Sequence, residues 1–526
     1  MKNRRLLSVA IGFLLGVYPT PPAHTDYEEA RPSGGALRIG DTIKPSIINP
    51  ILTSDTISIH LLDLIFNGLV KLSDSLEPIP DLAESWEFSG DGKVWTFFLR
   101  KGVKFHDGTE FTAEDAKFTY EKVLELRGPI SPAAVERYEV VNRYTFRAVL
   151  REPYSPFIYA MTWPIAPKHL LEGEDLEKAS FNRHPVGTGP FKLAEWTDDD
   201  RIRLVANQEY FEGRPHLDSV SVVSYGPRDM LWAQLILGKI DLVTLIPPEH
   251  FLFVRPPKFK VYTQTSPFYY TFLFNLRDPL VSDRRIRQAI NLILSPERII
   301  EEGLGGHGQP CTGPFLPDSW PYNPDVVHPH DPDEAARLLD QAGWSQRGWD
   351  GIRIKDGRRL VISLLMDTDD ELKLFAAQVM HQQLWEAGID LEVRLIKPEI
   401  LIDQYLRTGR FQAAFFQLNA GIDPDVARTF WHSGGIGRYN LASYRNMEVD
   451  RLFEQGYRAY DQAERKKIYR RIHALIVRDV PAVFLFIRQD HEAVNASFGG
   501  IAYSPLTPLF SSIKDWFLMG KGEKDF

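Results

Sequence analysis

The sequence predicts an α/β protein of more than one lobe, and three observations carry that prediction. The chain has 526 residues, more than one hydrophobic core holds, so two or three lobes are expected. Hydrophobic residues make up 44% and charged residues 25%, a balance at which a chain buries a core rather than staying disordered. Strand and helix patterns alternate through the last two-thirds, the order that packs helices on a sheet with some parallel pairing.

The first segment reads as an address. Lys2, Arg4 and Arg5 precede residues 6–17, LLSVAIGFLLGV. That run is too short for a hydrocarbon core of about 30 Å but fits a secretory signal, so 1–25 is assigned as a signal peptide. An uncleaved anchor is the competing reading, and Arg4-Arg5-Leu6-Leu7 bears a faint likeness to a twin-arginine signal. No cysteine follows the run, which leaves a lipoprotein anchor without an acceptor. Residues 26–35 form a flexible leader. No later stretch approaches ~18 uninterrupted apolar residues, so a soluble exported protein is expected.

Residues 36–40 (ALRIG) then open the fold as a strand, and 59–69 are apolar at helical spacing. Aromatic and β-branched content makes strands of 94–99 (VWTFFL) and 145–150 (TFRAVL). Between them 112–126 reads as a helix capped by Thr112, with Asp115 three positions on. A hairpin is expected over 191–196 and 202–206, a strand over 220–224 and a helix over 230–237. Amphipathic helices follow at 283–294, 332–342 and 371–387, with strands at 391–395 and 411–417. A helix over 463–478 is stopped by Pro481, and 482–487 is a buried strand.

Several function classes fall away. A net charge of −9 argues against nucleic-acid binding. The one cysteine, Cys311, excludes an internal disulfide framework, a Cys-rich zinc module and an iron–sulfur cluster. There is no phosphate loop, nucleophile elbow or helical zinc-protease motif. The glycines of 303–308 (GLGGHG) lack a following Lys-Ser/Thr, His328-Pro329-His330 reads as a solvated turn, and Asp367, Asp369, Asp370 and Glu371 read as a helix start favoured by the dipole. No enzyme activity, catalytic residue, metal or cofactor is expected.

Residues 82–115, LAESWEFSGDGKVWTFFLRKGVKFHDGTEFTAED, closely resemble the signature block of the family 5 extracellular solute-binding proteins, the dipeptide, oligopeptide and nickel receptors of ABC importers. Asp91-Gly92 supplies its hairpin turn and Asp107-Gly108 a second turn before the capped helix, with His106 and Asp107 as scaffold. Further blocks resemble the family in order: 185–196 (PVGTGPFKLAEW), 283–299, 331–344 (DPDEAARLLDQAGW), and Asp423-Pro424-Asp425 followed by Tyr439, Asn440, Tyr444 and Asp450. The likeness runs from about residue 35 to about 504.

The resemblance implies a two-lobed periplasmic binding protein fold of type II with an extra small α/β domain, hinged by two strands crossing near 275 and 485. Lobe I would hold 35–75, 185–275 and 486–526, the extra domain 76–184, and lobe II 276–485. It implies a monomer that closes on a peptide-like or other small polar solute and delivers it to an ABC permease in the inner membrane. An exported sensor or chaperone-like peptide-binding module is the alternative, and a secreted hydrolase a third hypothesis that lacks a constellation. Peptide-binding relatives usually carry an Asp three residues before Asp-Pro-Asp, which takes the ligand's ammonium; Ala420 stands there, so a buried ammonium lacks its carboxylate unless another acid substitutes. The expected cleft-lining residues are Gln417, Asn419, Trp431, Tyr439 and Asn440.

Overall fold

The computed structural model describes residues 32–127, 135–199, 201–226, 228–244, 246, 254, 256–367 and 371–519. The signal segment 1–25, most of the leader, and Asp369 and Asp370 lie outside them. No helix of the described residues is long and apolar enough to cross a membrane.

Strand β1 (Ala36–Asp41) leads to helix α1 (Thr56–Ile65), capped by Asp55, which accepts from Ser58 N at 2.9 Å. The extra domain follows. Its strands β2 (Ala83–Phe88), β3 (Val94–Leu99), β4 (Val135–Asn142) and β5 (Thr145–Leu150) form an antiparallel sheet in the order β2-β3-β5-β4. Gly92 takes φ 69° in the first turn, the left-handed conformation a Gly adopts without strain. Helix α2 (Ala113–Arg127) packs on this sheet, and Thr112 and Asp115 cap it reciprocally: Asp115 Oδ2 accepts from Thr112 N at 2.9 Å, and Thr112 Oγ1 accepts from Glu114 N at 3.3 Å.

The chain re-enters the first lobe with β6 (Phe191–Trp196), β7 (Ile202–Ala206), β8 (Ser219–Ser224), helix α3 (Arg228–Ile236) and β9 (Leu242–Val243). After β10 (Phe259–Phe274) come α4 (Arg284–Ile293), β11 (Gly308–Pro310), α5 (Pro332–Gln341), β12 (Val361–Asp367), α6 (Glu371–Glu386), β13 (Asp390–Ile396) and β14 (Ala413–Asn419). Helices α7 (Val426–Trp431), α8 (Met447–Gly456) and α9 (Gln462–Asp479) precede β15 (Ala482–Asn495). One 11-stranded sheet runs in the order β13-β12-β14-β10-β15-β9-β1-β8-β7-β6, with β11 also against β15. Pairing is parallel where β1 meets β8 and β9 and where β12 meets β13 and β14.

Strands β10 and β15 cross between the lobes. Phe259 to Thr265 pair with Asn495 to Gln489, whereas Phe268 to Phe274 pair with β14 on one side and, from Tyr269, with the start of β15 on the other. The β10–β15 register shifts between Thr265 and Tyr269, where Pro267 has no N–H for a ladder. Each half has its own core. Leu37, Ile39, Leu61, Phe191 and Val220 pack with Phe510, Ile513 and Trp516 in the first lobe. In the second, Phe272 and Phe274 face α4, α5 and α6, while Tyr269 and Leu273 face α7, α8 and α9, as strand alternation requires.

Most expected elements are present with ends moved by a residue or two, but the strand expected over 482–487 runs on to Asn495, β10 was expected only as a crossing strand near 275, and β12 and β4 were not expected at all. Asp367 ends β12 instead of starting a helix; it holds the buried Lys373 Nζ at 2.7 Å.

His106 clasps the extra domain to the first lobe. Its Nε2 donates to Gly189 O at 3.0 Å and its Nδ1 accepts from Gly187 N at 3.2 Å, which fixes a neutral ring. Burial pushes its pKa from 6.5 down to about 4. A group depressed in the folded state contributes stability above its unfolded pKa and loses it as pH falls through the folded one. The His106 contribution is therefore expected to fade between about pH 6.5 and 4. Subtracting the pH–stability curve of His106→Gln, which keeps a donor and an acceptor, should isolate a slope confined to that window; parallel curves would refute it.

Candidate functional site

A cavity of about 890 Å³ lies between the lobes where the crossing strands change partners. The end of β1 and its loop supply Asp41, Thr42 and Ile43, and α1 supplies His60. Tyr154, Pro156 and Tyr159 reach in from the extra domain. The hinge gives Gln264 to Pro267 from β10 and Asp490 and Glu492 from β15. The second lobe adds Asn419, Ile422, Asp423 and Val426, and the carboxy-terminal segment adds Leu509 and Phe510. Asp41 and Asn419 sit at strand ends, Thr265 to Pro267 sit at the register shift, and Gln264, Asp490 and Glu492 lie on the paired strands just before it.

Among the described residues the lining holds Asp41, Asp423, Asp490 and Glu492 and no lysine or arginine. Asp423 is neutralised from behind by buried Arg465, at 2.8 Å. Asp425 beside it accepts from Tyr154 OH at 3.1 Å and pairs with Arg428 at 3.1 Å, tying the extra domain to the second lobe; burial still lifts its carboxyl to about 6. Asp41 accepts from Ile43 N at 2.8 Å and Thr244 Oγ1 at 2.9 Å. Burial keeps the His60 pKa below its ordinary value. Cys311 lies in the core, its Sγ 3.0 Å from Gly313 O, and burial pushes its thiol up to about 12.

Of the five residues expected from the sequence, Asn419 is on the cavity wall, its Oδ1 accepting from Gly421 N at 2.7 Å. Gln417 is half-buried on β14, away from the lining. Trp431 is 1% exposed and donates through Nε1 to Tyr269 OH at 3.1 Å. Asn440, also 1% exposed, spends its amide on His432 O, Tyr444 O and Tyr444 N. Tyr439 is 52% exposed under the Arg407 guanidinium. Ala420 is buried, its N bonded to Pro267 O at 2.9 Å. Sequence reasoning missed the hinge and first-lobe side of the wall. The available signal was the polar run 488–492, RQDHE, which continues an apolar strand without a turn residue.

Two lobes on one sheet, joined by two crossing strands around an interlobe cavity, define a solute-binding protein of the type II fold. The chain belongs to the bacterial extracellular solute-binding proteins, family 5, whose model of the middle region matches residues 77–438. It is 29% identical over 500 residues to the oligopeptide-binding protein AppA of Bacillus subtilis, covering 92% of either chain. The structure of that protein in complex with a nonapeptide matches with a TM-score of 0.69 over 93% of this chain and 100% of that one. Protein XP55 of Streptomyces lividans is 30% identical over 495 residues, 91% of this chain and 89% of that one. HbpA2 from Haemophilus parasuis, 20% identical, shares the fold with a TM-score of 0.83 over 92% of this chain and 100% of that one.

Proposed function

We propose that this chain is the periplasmic solute receptor of an ABC importer: it captures a peptide-like or other small polar solute by closing its lobes and delivers it to a membrane permease. The observation that carries this reading is the cavity placed at the two crossing strands, so that bending them changes the cavity directly. A ligand favours closure by the difference in its affinity for the open and closed forms. Relatives named for oligopeptide binding support a peptide as cargo. The lobes move as 35–75 with 185–275 and 486–526 on one side and 276–485 on the other, with 76–184 carried along. Asn419 is the residue we assign to the ligand among those expected from sequence. The chain performs no chemistry on its cargo, works as a monomer, and is exported by residues 1–25 without a lipid anchor; the buried, unreactive Cys311 supports the first point.

Small-angle scattering of the purified protein, titrated with a defined pool of tetra- to nonapeptides, tests the reading. A radius of gyration that falls on binding, with every peptide recovered intact by mass spectrometry, is the expected result. An unchanged profile with saturating peptide, or cleaved peptide in the eluate, refutes it.

A further inference from the structure

Among the described residues four carboxyl groups reach the cavity, and three already have partners. Asp423 holds Arg465, Asp41 accepts from Ile43 N and Thr244 Oγ1, and Asp490 lies 3.5 Å from Arg488. Glu492 differs. It is 6% exposed, and its Oε2 has no hydrogen-bond partner among the described residues. Strand alternation puts Asp490 and Glu492 on one face of β15, toward the cavity. His491 between them points the other way, bonded to Thr263 Oγ1 at 3.0 Å and His307 Nδ1 at 3.1 Å. Across the ladder from Asp490 stands Gln264, whose Nε2 is also without a partner, and His60 Nδ1 is a third such atom on the lining. Buried polar atoms are satisfied in folded proteins as a rule, and a cluster of orphans around one cavity marks the place where a ligand completes the bonding. With acids on the wall and no lysine or arginine among the described lining residues, the missing partner of the Glu492 carboxyl is a cation, whereas Gln264 Nε2, a donor, calls for an acceptor on the same ligand.

We propose that Glu492, on the crossing strand, receives a primary ammonium of the solute, flanked by Asp490 and Gln264. The inference rests on the solute-capture reading above and names the ligand's charged group. It also accounts for Ala420: the acid absent from the second lobe is replaced by one on the hinge. A cation bound there touches a strand shared by both lobes, so its attraction bears on the hinge itself. Burial, and next the Asp490 carboxylate, push the Glu492 carboxyl up to about 8. Among the described residues, the ionisable groups beside it are Asp490 on its own strand, Tyr262 opposite it on the paired strand and Tyr503 from the carboxy-terminal segment. An arriving ammonium therefore releases a proton from Glu492 near neutral pH.

The test is calorimetry on the full chain, dialysed free of carried solute, in two buffers of different ionisation enthalpy. The probes are tetraalanine, N-acetyl-tetraalanine, N-acetyl-Ala-Lys-Ala and 1,5-diaminopentane; the first and third separate an α-ammonium from a side-chain one. Expected is at least tenfold tighter binding of an amine-bearing probe than of N-acetyl-tetraalanine, with proton release. In Glu492→Gln both the preference and the proton release disappear, while the ligand-free protein melts no lower. Equal binding of the acetylated peptide, or a preference that survives in Glu492→Gln, overturns the proposal. The acetylation comparison needs no variant, so poor folding of Glu492→Gln leaves it decisive. Binding of the diamine alone, dependent on Glu492, overturns peptide as cargo and supports the ammonium site; binding of no probe overturns both.

Discussion

Methionine in place of Arg465 is expected to lower stability by about 3–5 kcal/mol, the usual consequence of leaving one member of a buried ion pair alone. Arg465 Nη2 holds both oxygens of Asp423, at 2.8 and 3.0 Å, and its Nε donates to Gly456 O at 3.2 Å. Both residues of the pair are buried, and the guanidinium also lies over the rings of Trp320 and Tyr469. Removing the cation strands a carboxylate in the cavity wall, at the point where the second lobe meets Tyr154. Urea denaturation followed by tryptophan fluorescence measures the loss. The double variant Asp423→Leu with Arg465→Met should recover most of it, because an apolar pair of similar volume replaces an ion pair at little cost. A single-variant loss below about 1 kcal/mol, or a double variant no better than the single one, would count against this account.

Trp431→Ala is expected to cost about 3–5 kcal/mol as well, from the cavity it leaves in the second lobe. The indole lies tilted against Phe484 with ring centroids 5.6 Å apart, meets Tyr444 edge-on and gives its N–H to Tyr269 OH, so truncation also strips a buried hydroxyl of its partner. Its side chain does not line the interlobe cavity, so affinity for any probe that the cavity binds, measured well below the melting temperature, should stay within about twofold. Thermal unfolding and calorimetry on one preparation decide the matter. A collapse of affinity at unchanged stability would place Trp431 against the ligand.

The parts of this fold legible in the sequence are those where local chemistry and tertiary position agree. The Asp91-Gly92 turn, the Thr112–Asp115 cap and the amphipathic α4 were all readable because each serves its neighbours in the chain. Strand β10 entered only through the family likeness, as a crossing near 275: its first half alternates weakly, and Ser266-Pro267 reads as a break, which the register shift tolerates. The second half of β15 stayed hidden for a related reason. Asp490 and Glu492 are polar because the strand crosses a cleft, and a polar stretch in isolation reads as a loop. The site followed the same division. Family likeness directed attention to 417–440, of which Asn419, Ile422, Asp423 and Val426 reach the wall, while the bonds of Asn440 and Trp431 turn inward to the core.

The first lobe is stitched from both ends of the chain, with Leu37 and Ile39 in one cluster with Phe510, Ile513 and Trp516. A polypeptide that emerges amino end first can finish its second lobe while the first still waits for its last pieces. Half of the central sheet then stays open-edged until synthesis or translocation is all but over, and that interval is when a holding chaperone has most to protect.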